Sequence, residues 1–196
     1  MVSVVTGWEG DVLYWFQSIH NDILDGVFKF FTLLAEKGLF WIAVFLLFFL
    51  FSKDKRIGIT GILALALNVV ICNLILKNLV ARDRPAWIDT SVPLLVDRPD
   101  DFSFPSGHTA FSFAAAGTIV QYRPGLGVGA LILAACIGVS RLYLFVHFPT
   151  DVIGGFLVGI TCALLCGIIV KRIFEYKHWS TKDGWHSFKP IREEDT

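Results

Sequence analysis

Charge is what this chain has least of. Asp, Glu, Lys and Arg make up 17% of its 196 residues while 55% are apolar, against about 25% charged in an ordinary soluble domain. That deficit excludes a water-soluble globular protein, and residues 1–196 read as one membrane domain. An excess of either sign is missing too, because seventeen Lys plus Arg balance seventeen Asp plus Glu. Nothing electrostatic draws the chain to nucleic acid, and none is expected as a partner. Cysteines are few: Cys72, Cys136, Cys162 and Cys166 all sit inside apolar runs, none in a loop. A disulfide framework is therefore excluded, and the four read as buried thiols. Cys162 and Cys166 are spaced to share a helix face, but with no polar ligand beside them they are packing residues rather than a metal pair. The start, Met1-Val2-Ser3, lacks a basic stretch and is soon followed by Glu9 and Asp11, unlike a cleaved signal peptide. Asp83, Asp89, Asp97, Asp100 and Asp101 crowd a single loop and read as its solvated face rather than a magnesium site. No metal and no cofactor is expected.

What the chain has is long apolar runs. Crossing about 30 Å of hydrocarbon takes roughly 20 helical residues, since only internally bonded backbone survives there. Four runs reach that length: Ile57 to Leu76, Phe104 to Tyr122, Pro124 to about Val146, and Val152 to Val170. A fifth, Gly38 to Ser52, is shorter and spans if Lys37 and Lys53 snorkel outward. Residues 22–36 form a sixth span or a re-entrant segment, with Asp25 and Lys29 placed to pair along one helical face. Ahead of them Trp8, Val12, Trp15, Phe16, Ile19 and Ile23 recur at spacings of three and four, the pattern of an amphipathic helix (7–21) lying at the interface. The expected fold is all-α, a polytopic bundle over 22–172 with a tail at 173–196. Gly125 with Gly129 and Gly155 with Gly159 are spaced for close helix contact. With six spans, Lys53, Lys55, Arg56, Arg123 and the basic tail share one side, which the charge bias assigns to the cytoplasm.

Three polar clusters close otherwise apolar helices on the opposite side, and ionisable groups in such places are expensive unless they serve a function. The first is Lys77 to Pro85, in which Lys77 and Arg84 stand nearly two helical turns apart. On its own it could be a headgroup anchor. Arg82 falls about 140° around a helix from Lys77 and is left out of the site. The second, Phe104-Pro105-Ser106-Gly107-His108, starts a helix. Ser106 could simply cap it, but bare amides at Ser106 and Gly107 also suit an anion. The third runs from Ser140-Arg141 to His147 and Asp151. Pro149 is tolerated in a first helical turn, which places Asp151 where it can reach back to His147, either as a structural pair or to fix the ring tautomer and free the other nitrogen. Together the clusters bring three cations, Lys77, Arg84 and Arg141, and helix-end amides around two histidines. That set can position and neutralise a phosphoryl group without a metal. An anion channel would spread such charges across membrane depth, whereas these gather at one end.

Lys77 with Arg84-Pro85, then Pro105-Ser106-Gly107-His108, then Ser140-Arg141 with His147 and Asp151: in order and spacing this resembles the type-2 phosphatidic acid phosphatase family of membrane lipid phosphatases. The resemblance implies a six-helix bundle with its site at the extracytoplasmic end. It also implies His147 as the nucleophile that becomes phosphohistidine, Asp151 as its orienting group and His108 as the acid, then base. Lys77, Arg84, Ser106, Gly107 and Arg141 would hold the phosphoryl oxygens. The short loops suit bacterial members acting on undecaprenyl diphosphate, with phosphatidylglycerophosphate and phosphatidate as alternative substrates.

Overall fold

The computed structural model describes residues 5–176, and among these every regular element is helical. The N-terminal helix α1 (Trp8–Ser18) is followed by a short break and then α2 (Asp22–Leu34), whose start is fixed by the Asn21 side chain accepting from the amides of Ile23 and Leu24. A one-turn 3-10 segment leads to α3 (Leu39–Phe51), and the two halves meet at a 43° bend. Gly38 makes the bend possible: it has φ 67°, and a Cβ there would fall 2.3 Å from the Phe111 ring.

Helix α4 (Arg56–Asn68) runs through a π-helical stretch, Val69–Leu76, into the short α5 (Lys77–Val80). Ala81, in the left-handed region at φ 46°, ends it. The small helix α6 (Pro85–Ile88) and a long loop follow. Then come α7 (Gly107–Tyr122), α8 (Pro124–Tyr143) and α9 (Pro149–Tyr176). Helix α7 is the axis, packed by α4, α8 and α9, while α3 lies on α4, α2 on α8, and α1 touches α8 and α9.

Small residues let α7 and α9 approach. A Cβ on Gly155 would meet the Ser106 carbonyl at 2.6 Å, and one on Gly159 the Ala110 carbonyl at 2.4 Å. The other glycine pair behaves differently, since Gly125 and Gly129 have nothing within 4 Å. Trp41, Phe45, Ile57, Leu65, Ala115 and Ile137 fill the main core. Large side chains such as Leu47 and Phe51 of α3, Leu126 and Ile132 of α8, and Leu157 and Ile168 of α9 face outward, an arrangement suited to lipid rather than water.

Among the described residues three helical stretches are long and apolar enough to cross a membrane, Arg56–Ile88, Pro124–Tyr143 and Pro149–Phe174, or four if the bent α2–α3 pair counts as one span. The expected run from Phe104 to Tyr122 begins as loop, so α7 starts at Gly107 and has 16 residues, shorter than the three stretches above. Helix α1 exposes Trp8 and Trp15 and buries Leu13 against Ala86, Phe145 and Phe148. The expected Asp25–Lys29 pair does not form. Asp25 accepts instead from the Tyr143 hydroxyl, with His20 Nδ1 3.4 Å away. Most of the expected tail, from residue 177 on, lies outside the described residues.

Candidate functional site

The end of the bundle where α5, α7, α8 and α9 begin or stop collects its buried charges. Lys77, Arg84, Arg141, His147 and Asp151 are all less than a tenth exposed. His147 sits in the turn between α8 and α9, which reverses through Phe145 at φ 58°. A left-handed aromatic residue costs on the order of 1–3 kcal/mol, and Phe145 is held there by burial under Leu13 and Phe148.

Asp151 is fully buried in the first turn of α9. Its Oδ2 accepts from Ser103 Oγ at 2.5 Å and from the Phe148 amide at 2.8 Å, and lies 3.6 Å from His147 Nδ1. Ser103 Oγ is itself 3.5 Å from that nitrogen. On the far side of the ring, Arg84 Nη1 donates to His147 Nε2 at 3.0 Å. Because a guanidinium can only donate, Nε2 is the unprotonated nitrogen and Nδ1 carries the hydrogen towards Asp151 and Ser103. Burial lowers the His147 pKa well below the ordinary histidine range, and Arg84, Arg141 and Lys77 push it the same way. The imidazole is thus neutral at neutral pH, with its lone pair aimed at the cations.

The cations themselves are arranged for an anion. Lys77 and Arg84 both bind the Asp101 carboxylate, and Arg84 also donates to the carbonyls of Asp101 at 2.6 Å and Val146 at 2.8 Å. Arg141 bonds Thr32 Oγ1 through one terminal nitrogen, while its buried Nε has no partner among the described residues. Such an orphaned donor is rare and calls for an acceptor. Gly107 faces this group, since a Cβ there would lie 3.9 Å from Lys77 Nζ and 3.4 Å from Asn73 Oδ1. His108 and Arg141 line a cavity of about 920 Å³ that is bordered by α2 and by residues 94–100 of the loop.

Every expected site residue therefore maps to one end, though not always in the expected way. Ser106 stands at the N-cap of α7, but its hydroxyl accepts from Thr109 Oγ1 at 2.9 Å and caps no amide. The reading of the loop carboxylates as a solvated face is corrected twice. Asp101 is ion-paired with Lys77 and Arg84, and Asp89 is buried, accepting from Tyr14 at 2.7 Å and from Ser91. Arg82, excluded by its helical angle, in fact donates to Asp151 Oδ1 at 2.8 Å. The helix stops at Ala81, so a wheel drawn from Lys77 does not apply beyond it. Ser103 was also missed; its only signal is its place immediately before Phe104-Pro105. Among the described residues no group of three His, Cys, Asp or Glu side chains is placed to hold a metal.

A helical bundle carrying a neutral histidine, a buried carboxylate behind it and three cations in front defines a class of protein built to handle a phosphoryl group at a membrane. Residues 57–175 match the PAP2 superfamily, and the chain belongs to it. An undecaprenyl-diphosphatase of Sulfolobus acidocaldarius is 33% identical over 120 residues, 61% of this chain and 58% of that protein. The undecaprenyl-diphosphatase BcrC of Bacillus subtilis is 29% identical over 76% of each chain. Among solved structures, LpxE of Aquifex aeolicus superposes with TM-score 0.70 at 30% identity, covering 88% of this chain and 99% of its own. A PAP2-type phosphatidylglycerolphosphate phosphatase from Bacillus subtilis gives 0.69 at 27% identity, covering 84% and 85%. Together with the apolar helices, these relatives make the chain a multi-pass membrane protein.

Proposed function

We propose that the protein hydrolyses a phosphomonoester or diphosphate of a lipid through a phosphohistidine intermediate. The observation that carries the reading is the pair Lys77 and Arg84, already holding a carboxylate beside the lone pair of His147 Nε2. A substrate phosphate replaces that carboxylate. Nε2 attacks phosphorus, the phosphorus–oxygen bond to the lipid breaks, and His108 gives its proton to the leaving oxygen. Asp151 and Ser103 keep the Nδ1 hydrogen in place as the ring gains positive charge. Lys77, Arg84, Arg141 and the amides near Ser106 and Gly107 balance the charge on the phosphoryl oxygens. Water, deprotonated by His108, then breaks the nitrogen–phosphorus bond and inorganic phosphate leaves. The cations come from the chain itself, so turnover should persist in chelator.

Undecaprenyl diphosphate is the preferred substrate, by analogy with the relatives named for that activity. A glycerophospholipid monophosphate is the second reading, supported by the phosphatidylglycerolphosphate phosphatase that shares the fold. The site faces the extracytoplasmic side of a six-span bundle, with the C-terminal tail in the cytoplasm and α1 lying along the interface; the greater number of basic residues on the opposite side supports this orientation. The decisive experiment measures phosphate release by purified protein from undecaprenyl diphosphate, phosphatidylglycerophosphate and phosphatidate at equal surface concentration. A preference above tenfold, about 1.4 kcal/mol in transition-state binding, for the first assigns the substrate. A His147→Asn variant that keeps substantial activity would remove the nucleophile from the scheme.

A further inference from the structure

Behind the Asp151 carboxylate lies a second charged layer that the reaction scheme above does not use. Arg82 reaches it from the loop after α5. Its Nη1 donates to Asp151 Oδ1 at 2.8 Å and to Thr150 Oγ1 at 2.7 Å, while its Nη2 donates to Glu9 Oε2 at 2.7 Å. The other Glu9 oxygen accepts from the Thr150 hydroxyl at 2.7 Å and from the Thr150 amide at 3.2 Å. The guanidinium also lies 3.9 Å over the Phe148 ring. The Arg82 carbonyl accepts at 2.8 Å from the amide of Ser103, whose hydroxyl bonds the other oxygen of Asp151. Glu9 and Arg82 are thus clamped across the first turn of α9, one residue coming from the N-terminal helix and the other from the loop after α5.

We infer that Glu9 and Arg82 form a positioning pair for the nucleophile: Arg82 fixes the rotation of the Asp151 carboxylate, Glu9 fixes Arg82, and through Asp151 they aim the His147 ring. Three observations lead there. Asp151 has no exposure to solvent, and a carboxylate so buried needs a compensating charge. Apart from His147, Arg82 is the cation paired with it among the described residues. The two Asp151 oxygens are also divided, Oδ1 to Arg82 and Oδ2 to Ser103, Phe148 and the His147 side. With Oδ1 released the carboxylate is held at Oδ2 alone, by Ser103 and the Phe148 amide, and can tilt about its last bond, shifting the angle that presents Oδ2 to Nδ1. Planar, forked contact of this kind with two carboxylates and a ring suits Arg and is not reproduced by a point charge. Glu9 extends the support to α1, so the N-terminal helix becomes part of the catalytic architecture rather than only a surface anchor.

The inference rests on the phosphatase reading with His147 as nucleophile, and the test separates the two. Wild type, Arg82→Gln, Arg82→Lys, Glu9→Gln and His147→Asn are purified in detergent. Initial rates on the preferred lipid phosphate, inhibition by inorganic phosphate and thermal melting are measured for each. The expected result for Arg82→Gln is a kcat lower by about 10–100-fold, the scale of a misaimed reacting group, with KM and the phosphate inhibition constant within about threefold of wild type. Arg82→Lys, which restores charge without the fork, should recover only part of the rate. Glu9→Gln should show the same kcat-selective loss, smaller in size. Added guanidinium ion should raise the rate of an Arg82→Ala variant. Arg82→Gln with kcat within about twofold of wild type, or a loss shared equally by KM and phosphate inhibition, overturns the positioning role while leaving the phosphatase reading intact. Should Arg82→Gln fail to fold, Glu9→Gln decides, because it keeps the side-chain shape, and an unchanged kcat there overturns the inference. A wild-type protein that releases phosphate from none of the lipids overturns the function first and this inference with it.

Discussion

The body of the bundle and its charged end are held together by opposite means. Along α7 and α9, contact is made by removing side chains: Gly155 and Gly159 lie directly against backbone atoms of α7, and van der Waals packing does the rest. At the charged end contact is made by adding side chains, with Lys77, Arg84, Arg141, His147 and Asp151 buried around one another. The body is regular helix apart from the bend at Gly38 and the π-helical stretch Val69–Leu76. The charged end forms where periodicity stops, at Ala81 and Phe145, both left-handed. In this fold, stability lies in the regular part and chemistry in the breaks, so a substitution should affect one property and spare the other.

The sharpest test of that division is His147→Asn. Asparagine cannot become phosphohistidine, and turnover should fall about 10³-fold or more, as for other lost nucleophiles. The Nδ1 side of the pocket is polar and Asn can still face Ser103, so melting in detergent should stay close to wild type. A large fall in melting temperature would mean that the charged end carries much of the fold.

The converse test lies in the body. Gly159→Ala places a Cβ 2.4 Å from the Ala110 carbonyl and 2.8 Å from the Ala114 amide, and neither atom can swing aside. A loss of about 1–3 kcal/mol is expected, as for other overpacked contacts, read as a lower melting temperature. Gly129→Ala, with nothing within 4 Å, should be neutral or gain up to about 1 kcal/mol from helix propensity. Equal responses would show that the glycines do not set the α7–α9 approach. A third glycine sits at the seam of the two regions. At Gly107 a new Cβ has ordinary clearance, 3.4 Å from Asn73 Oδ1, but occupies the space facing Lys77. Gly107→Ala should therefore keep its melting temperature and raise KM about tenfold, roughly 1.4 kcal/mol.

The two regions also differed in how far the residues alone revealed them. Hydropathy located α8 and α9, with the start of α8 at Pro124 and the other ends displaced by about three to six residues, because lipid imposes one rule on every position. The site was legible as three motifs, since Lys77, Arg84, His108, Arg141, His147 and Asp151 are chemically conspicuous in an apolar chain. The supporting residues were not. Arg82 was discarded by a helical wheel that Ala81 invalidates. Asp101 looked like any loop acid, Ser103 acts on Asp151, 48 positions away, and Glu9 bonds Thr150, 141 positions away. Contacts of that range follow from tertiary placement and leave no local pattern.

Asp101 supplies the mildest way to probe the boundary. Its carboxylate is half exposed, and burial alone would raise its pKa, but Lys77 and Arg84 outweigh burial and hold it at about 2. A lowered carboxylate contributes stability that is present above its ordinary value near 4 and is lost as pH falls through about 2. Across the neutral range it is therefore always charged and always available to compete with a phosphate for the two cations. Asp101→Asn removes that competitor without altering shape. KM should fall about threefold, and the ratio to wild type should stay constant between pH 5 and pH 8, because neither side of the comparison titrates Asp101 there. A rise in KM would show instead that Asp101 holds Lys77 and Arg84 in their binding positions, which would make the loop a working part of the charged end rather than a tenant of its anion site.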